Sequence, residues 1–194
     1  MTDPRTTPGY RLGAALTRRA LFGVTAVLGG GLLLGRSAAA AGPFTFSSID
    51  GGTLSMADWA GRPVLVVNTA SRCAFTGQYE ALQALYDRYR DRGLVVLAVP
   101  SDDFRQELAT EAEVKEFCEL NFGLDLPMTE ITHVRGPDPH PFYRWLAEEH
   151  GFRPRWNFNK VLIGPDGAPV QTFGSRVSPL APAITRRIEA MLAA

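Results

Sequence analysis

Cysteine is scarce in this chain of 194 residues, which contains only Cys73 and Cys118. Histidine is also scarce, with three scattered residues. Neither set provides the closely spaced ligand pairs of a structural or catalytic metal site, so we expect no metal and no other cofactor. A strong net charge is missing as well, because acidic and basic residues balance to zero. This balance gives no reason to expect a nucleic acid partner.

A membrane-spanning hydrophobic run is also lacking. The most apolar segment covers residues 20–35, which is shorter than the about 20 residues that a spanning helix needs. It follows Arg18-Arg19 and precedes the small residues of segment 37–41. The order of basic, apolar and small residues predicts a cleavable export signal over residues 1–41, and the twin arginine favours the Tat type. An uncleaved N-terminal anchor is the alternative.

Residues 42–194 form the predicted working domain, which would act in the periplasm or otherwise outside the cytoplasm. This domain is mildly acidic, because the predicted signal contains five of the arginines and one aspartate. We therefore expect no stable association with an anionic membrane after cleavage.

Strand and helix patterns alternate along this domain. Apolar, β-branched runs predict strands that are buried on both faces, helical spacing of apolar residues predicts four helices, and Gly-Pro-Asp-Gly predicts a hairpin turn. The predicted strands are 44–46 (a short edge strand), 63–68, 94–99, 160–163 and 170–173, and the predicted helices lie around 79–92, 114–122, 142–146 and 180–191. Ser178-Pro179 is predicted to start the last helix. This order predicts a three-layer α/β domain of thioredoxin-like architecture, with a central mixed sheet and flanking helices.

Cys73 lies just after the predicted strand 63–68 and before a predicted helix. Functional sites of α/β sheets lie at the carboxyl ends of strands, and a helix N-terminus together with the neighbouring Arg72 favours a thiolate. A thiolate attacks O–O or S–S bonds. Dithiol oxidoreductases of this architecture carry a second cysteine three positions later, where this chain has Thr76. The pattern therefore favours peroxide reduction over disulfide exchange. An inert loop cysteine, or one half of a structural disulfide, is the alternative.

Five ordered segments resemble the glutathione peroxidase family, and the resemblance covers roughly residues 44–192. The segments are NTASRCAFTGQY at 68–79, VPSDDFRQE at 99–107, FCELNFGLDLPM at 117–128, HPFY at 140–143 and WNFNK at 156–160. The resemblance implies a thiol-dependent peroxidase that reduces hydrogen peroxide or organic hydroperoxides. It also implies regeneration by a thioredoxin-like protein or by glutathione. The chain lacks the long insertion of the family's tetramers, which implies a monomer.

The resemblance also implies roles for single residues. Cys73 would be the peroxidatic residue, and the Trp156 indole and the Asn157 amide would point at its sulfur; a core aromatic and a turn residue are the alternatives. Asp103 stands where the family usually has a glutamine. An ionised Asp103 would oppose the thiolate and a protonated one could donate to the leaving oxygen. Alternatively, backbone N–H groups do that work.

Cys118 has two possible roles. The resemblance implies a resolving cysteine in its helix, whereas its position on the apolar face of that helix indicates a core residue. Three functions compete with the peroxidase: a thiol–disulfide oxidoreductase, a non-enzymatic redox or copper-binding module, and a family member that lost its activity through Asp103.

Overall fold

The computed structural model describes residues 44–193, so the export signal predicted over residues 1–41 lies outside the described residues. The strands are β1 (Thr45–Ser47), β2 (Thr53–Ser55), β3 (Val64–Thr69), β4 (Val95–Pro100), β5 (Lys160–Ile163) and β6 (Pro169–Phe173). The helices are α1 (Gln78–Tyr89), α2 (Glu111–Phe122), α3 (Pro141–His150) and α4 (Pro182–Leu192), and short 3-10 turns cover Met56–Trp59 and Arg90–Arg92. Within the described range, no helix combines the length and the apolar character needed to cross a bilayer.

The central sheet is mixed and has the strand order β4-β3-β5-β6. Strand β3 pairs in parallel with β4, whereas β5 runs antiparallel to both β3 and β6. The crossover between β3 and β4 contains α1, as a parallel pair requires. Every residue of β3, β4 and β5 is buried, which confirms the prediction that the apolar runs are strands covered on both faces.

The two faces of the sheet carry separate apolar clusters, because alternate residues of a strand point to opposite sides. Leu65 and Val67 pack with α1, α2 and α4. Val64 and Val66 pack with α3 and with Phe46 of β1. Helices therefore cover both sides of the sheet, and the predicted three-layer α/β architecture is confirmed.

Of two local predictions, one was confirmed and one was wrong. The short strand predicted over 44–46 is β1, which pairs with β2 in a separate two-stranded sheet. The last helix begins at Pro182 rather than near Ser178, with Ala181 in an extended conformation at its N-cap. A residue before proline is pushed out of the helical region, so the helix cannot extend back through Ala181.

Helix α2 has well-defined ends. Thr110 and Glu113 form a reciprocal capping box at its start, and Gly123 ends it in the left-handed region at φ 60°. The box satisfies backbone N–H groups that would otherwise lack partners. Cys118, in the middle of α2, therefore lies on a helix that is stabilised at both ends.

Candidate active site

The loop that contains Cys73 is closed by a threonine. The Cys73 N–H donates to Thr76 Oγ1 at 3.1 Å, and the Thr76 hydroxyl lies 2.9 Å from the Ala70 carbonyl oxygen and 2.7 Å from that of Cys73. Thr76 is buried, and it occupies the position of the second cysteine in dithiol oxidoreductases. The chain thus has a structural hydrogen-bonding residue there, which shapes the turn between β3 and α1.

Cys73 is buried, with 8% of the residue exposed. Among residues 44–193, one donor reaches it: the Phe75 N–H, at 3.5 Å from Sγ. A backbone N–H directed at sulfur favours the thiolate form. This geometry agrees with the alternative in which backbone N–H groups, and not the residue at position 103, contact the sulfur.

Asn68, near the end of β3, connects the strand to residues 156–159, which form the Trp156 segment. Its side chain donates to the Trp156 carbonyl oxygen at 3.0 Å and accepts from the Asn159 N–H at 3.1 Å. Its own carbonyl oxygen accepts from the Phe158 N–H at 2.6 Å. Phe158 takes a left-handed conformation with φ 59°, which costs of order 1 kcal/mol for a residue with a side chain. These bonds hold the Trp156 segment at the carboxyl end of β3, which Cys73 follows in the chain.

Trp156 and Asn157 belong to this segment but do not donate to the sulfur of Cys73. Asn157 is fully buried, and its Nδ2 donates to Gln106 Oε1 at 3.0 Å. Trp156 is 41% exposed, and its ring centre lies 5.4 Å from that of Phe104. The structure therefore connects Asn157 to the Cys73 loop through a neighbour that engages its amide.

That neighbour, Gln106, is a residue to which sequence reasoning gave no role. Its side chain accepts from Asn157, and its carbonyl oxygen accepts from the Arg72 N–H at 2.8 Å. Gln106 thus connects the Cys73 loop with the Trp156 segment. It lies three positions after Asp103, so a glutamine is present near the site although the aligned position holds an aspartate. The QE pair within VPSDDFRQE was the available sequence signal.

The structure does not bring Asp103 to the sulfur. Its carboxylate accepts from His133 Nδ1 at 2.8 Å, from the Val134 N–H at 2.6 Å and from the Arg135 N–H at 2.9 Å. The side chain is 11% exposed, and its hydrogen bond raises the pKa of His133. Asp103 therefore fixes the segment 133–135, while the sulfur is met by a backbone N–H.

Lys160 lies beneath the Trp156 segment and is fully buried. Its Nζ donates to Gln78 Oε1 and to the Phe158 carbonyl oxygen, both at 2.7 Å. Gln78 is the first residue of α1, so Lys160 connects the start of that helix with the Trp156 segment. Burial lowers the pKa of Lys160 to about 7, because the low-dielectric interior disfavours its charged form.

Glu107 is a second buried ionisable residue that sequence reasoning passed over. Its Oε1 accepts from the backbone N–H groups of Ser71 and Leu108, both at 2.9 Å. Burial raises the pKa of this carboxyl group, although the two N–H donors act in the opposite direction. Glu107 fixes the backbone two residues before Cys73.

Cys118 lies in the core. It is 1% exposed and belongs to the same apolar cluster as Tyr79 and Cys73. Burial raises the pKa of its thiol to about 12, with a smaller contribution from the charge of Glu107. Both cysteines are free thiols. This packing favours the core alternative, and the resolving role stays a prediction.

The described residues 44–193 contain no cluster of three His, Cys, Asp or Glu side chains that could hold a metal ion. The site that the structure assembles thus consists of the Cys73 thiol, an indole, buried amides and two buried ionisable groups. Such a set can activate a thiol and stabilise developing charge on a leaving oxygen.

Comparison with known proteins finds chains that are similar to this one. The glutathione peroxidase family profile matches residues 43–147. A glutathione peroxidase from Lactococcus lactis is 39% identical over 141 residues, which are 70% of this chain and 90% of the relative. The hydroperoxy fatty acid reductase gpx1 of Synechocystis is 39% identical over 147 residues, with coverage of 70% and 87%.

Solved structures agree on the fold. The crystal structure of Trgpx in apo form superposes with a TM-score of 0.61 at 30% identity, covering 78% of this chain and 94% of that one. Thioredoxin-fold disulfide oxidoreductases also superpose, at identities of 18% or less, and these show the fold alone. The architecture is thioredoxin-like.

Lys160 gives a prediction for the pH dependence of stability. The pKa of Lys160 is about 7 in the folded protein and about 10.4 in an unfolded chain. Between these values the unfolded chain binds the proton and the folded chain does not, so stability rises with pH. We expect the free energy of unfolding of the wild type, relative to Lys160→Met, to rise by at most about 1.4 kcal/mol per pH unit between pH 7 and 10. Urea denaturation at each pH measures this difference.

The chain's other lysine is the matched control. Lys115 is exposed at the surface, and its hydrogen bond to Asp50 raises its pKa. Its proton therefore stays bound in both states through about pH 9, and the corresponding difference for Lys115→Met should change little between pH 7 and 10. A flat difference for Lys160→Met would show that Lys160 is charged in the folded protein.

Cys118 gives a prediction for thiol reactivity. With a pKa of about 12, only about one in ten thousand of its thiols is ionised at pH 8, and alkylation requires the thiolate. We expect iodoacetamide to label Cys73 in the native protein and to spare Cys118, with both labelled in concentrated urea. Peptide mass mapping measures the labels, and Cys73→Ser isolates the slow thiol. Equal labelling rates in the native protein would mean that α2 opens readily.

Proposed function

The chain belongs to the glutathione peroxidase family, and on that premise we propose that Cys73 is the residue that attacks the peroxide. The chain is a thiol-dependent peroxidase. The observation that carries the assignment is the contrast between its two thiols. Both cysteines are buried, but Cys73 lies just after the carboxyl end of β3 with an N–H directed at its sulfur, whereas burial raises the pKa of Cys118 to about 12.

The first step is a two-electron oxidation of the Cys73 sulfur by the hydroperoxide. The Cys73 thiolate attacks the terminal oxygen of a hydroperoxide, the O–O bond breaks and an S–O bond forms. The sulfur becomes a sulfenic acid, and the departing alkoxide or hydroxide takes up a proton. We assign stabilisation of that leaving oxygen to Trp156 and Asn157. The Asn157 amide has two hydrogens, and the bond to Gln106 occupies one of them.

The sulfenic acid returns to the thiolate by two exchange steps. A first thiol displaces water and forms a mixed disulfide on Cys73, and a second thiol releases it. We propose that both thiols are external, from a thioredoxin-like protein or from glutathione. The burial of Cys118 within α2 supports this cycle, since an internal disulfide would require that helix to open.

Thiol–disulfide exchange is the weaker alternative. Enzymes of that class use a second cysteine at the position of Thr76, whose hydroxyl instead closes the Cys73 loop. The substrate class that we propose is organic hydroperoxides together with hydrogen peroxide. The relative named a hydroperoxy fatty acid reductase supports the organic class. The monomeric state stays a prediction.

One equivalent of hydrogen peroxide tests the cycle. We add it to the reduced full-length protein and record the intact mass at once, with dimedone present to trap sulfenic acid. We expect a single dimedone adduct on Cys73, formed on the sulfenic acid with loss of water, and a gain of one oxygen on Cys73 in a parallel sample without dimedone. Cys73→Ser should lose turnover by on the order of a thousandfold, because a hydroxyl is not ionised at neutral pH. Cys118→Ser should keep turnover with an external thiol.

Two outcomes would contradict this proposal. Loss of two hydrogens, with Cys73 and Cys118 in one disulfide, would make Cys118 the resolving residue. An unchanged mass after several minutes would mean that Cys73 is not activated and that the chain has lost the family's activity.

We further propose that residues 1–41 export the folded domain to the periplasm. The support is the twin arginine, Arg18-Arg19, before a short apolar segment and small residues. In a bacterial host with a Tat pathway, changing Arg18→Lys together with Arg19→Lys should stop export although the charge is kept. Cell fractionation with intact mass measures both location and cleavage. Arg11→Lys is the control, and undiminished export of the double variant would exclude the Tat route.

A further inference from the structure

A cavity of about 710 Å³ lies beside the Trp156 segment. Its lining combines three cations with apolar side chains and includes no acidic residue. The side chains that matter here are Arg135, Arg153 and Arg155, together with Phe152, Pro154 and Phe173. None of the functions described above uses this cavity.

The three arginines of the cavity form no salt bridge within the described residues. Among residues 44–193, the arginines in salt bridges are Arg88, Arg90 and Arg144, and the cavity arginines form none. All three arginines are exposed, so water and salt screen their mutual repulsion, but three charges of one sign around one cavity still favour an anionic ligand. Guanidinium groups match carboxylates with paired, charge-assisted hydrogen bonds.

Hydrogen bonds to Asp103 fix the part of the cavity wall that contains Arg135. The Asp103 carboxylate accepts from the Val134 and Arg135 N–H groups. The guanidinium of Arg135 lies 5.1 Å from the centre of the Phe104 ring, which in turn packs on Trp156. Asp103 thereby sets the position of a cavity arginine, and the same contacts continue to the candidate active site.

The part of the cavity wall that contains Arg155 is also connected to the candidate active site through hydrogen bonds. The Arg155 N–H donates to Asn159 Oδ1 at 3.3 Å, and Asn159 Nδ2 donates to Ser175 Oγ at 2.8 Å. Asn159 is buried and is bound to Asn68 through its own N–H. Arg155 directly precedes Trp156 in the chain. A ligand that is bound by Arg155 would therefore extend along the segment that borders Cys73.

We propose that this cavity binds the carboxylate of an acyl hydroperoxide and so selects acidic lipid peroxides as substrates. The arginines bind the carboxylate, and Phe152, Pro154 and Phe173 contact the acyl chain that leads to the peroxide group. This inference rests on the proposed function of Cys73. The apolar lining favours a substrate with an acyl chain over a polar thiol reductant. Asp103 is then a positioning residue that acts through Arg135.

The test compares one peroxide in two charge states. We measure the second-order rate of oxidation of the reduced full-length protein by hydroperoxyoctadecadienoic acid and by its neutral methyl ester, below their micelle concentrations. Charge-assisted hydrogen bonds at a solvent-accessible site make the acid faster by about threefold to tenfold. Replacing Arg153→Gln and Arg155→Gln together lowers this ratio to about one.

Two further variants test whether the acid-to-ester rate ratio depends on the cavity arginines. Arg186→Gln with Arg187→Gln removes the same charge from the exposed face of α4 and keeps the wild-type ratio. Asp103→Ala removes the acceptor of the Val134 and Arg135 N–H groups and gives an intermediate ratio. Because acid and ester react with the same thiol, general damage to the site cancels in the ratio. A wild-type ratio in Asp103→Ala would remove its positioning role.

Binding without chemistry separates the two levels of the proposal. Isothermal titration with linoleate and with methyl linoleate, neither of which carries a peroxide, should show tighter binding of the acid. Equal binding and equal rates, with Cys73 still oxidised by hydrogen peroxide, would overturn the cavity assignment and leave the proposed function intact. Failure of Cys73 to react with hydrogen peroxide would overturn both. If the arginine variants raised the KM for glutathione and kept the acid-to-ester ratio, the cavity would serve the reductant and the inference would be wrong.

Discussion

The pairing of Asn68 with the Trp156 segment is the interaction on which the site depends. Cys73 follows β3, and Trp156 precedes β5, about eighty residues later in the chain. The sheet alone brings these strands side by side, but the segment before β5 is irregular and needs its own partners. Asn68 supplies them with its side-chain amide and its carbonyl oxygen. Because Asn68 is buried, loss of either partner would leave polar groups without hydrogen bonds in the core, at a cost of about 1–3 kcal/mol each.

Buried polar groups behind the sulfur fix the loops, whereas few of them act on the sulfur itself. Lys160 connects α1 with the Trp156 segment, Glu107 fixes the backbone before Cys73, and Gln106 joins the two loops. Each of these contacts satisfies a group that burial would otherwise penalise. The sulfur is met by one backbone N–H. Preorganised loops of this kind stabilise charge that develops during the reaction without further rearrangement.

The sequence was informative where a local pattern decides the structure. Continuous apolar runs predicted β3 and β4 correctly, and the position of Cys73 between a buried strand and a helix followed from them. Sequence reasoning missed Gln106 and Glu107 because their partners lie about 36 to 51 positions away, and no local period reports such contacts. Motif alignment placed Asp103 at the position of the family's glutamine. Alignment gives a position along the chain and not the direction of a side chain, and the Asp103 carboxylate is turned to the segment 133–135.

The aspartate at position 103 has a physical consequence beyond the absence of an amide there. A glutamine side chain is neutral, whereas an ionised aspartate beside a thiolate would destabilise it through like charge. In this structure that conflict is avoided, because two backbone N–H groups and His133 take up the carboxylate. The amide that engages Asn157 comes from Gln106 instead. One of the N–H donors belongs to Arg135. The contact that holds the Asp103 carboxylate away from the thiol therefore also fixes the backbone of an arginine in the neighbouring cavity. The departure from the family pattern thus connects position 103 to the backbone of Val134 and Arg135.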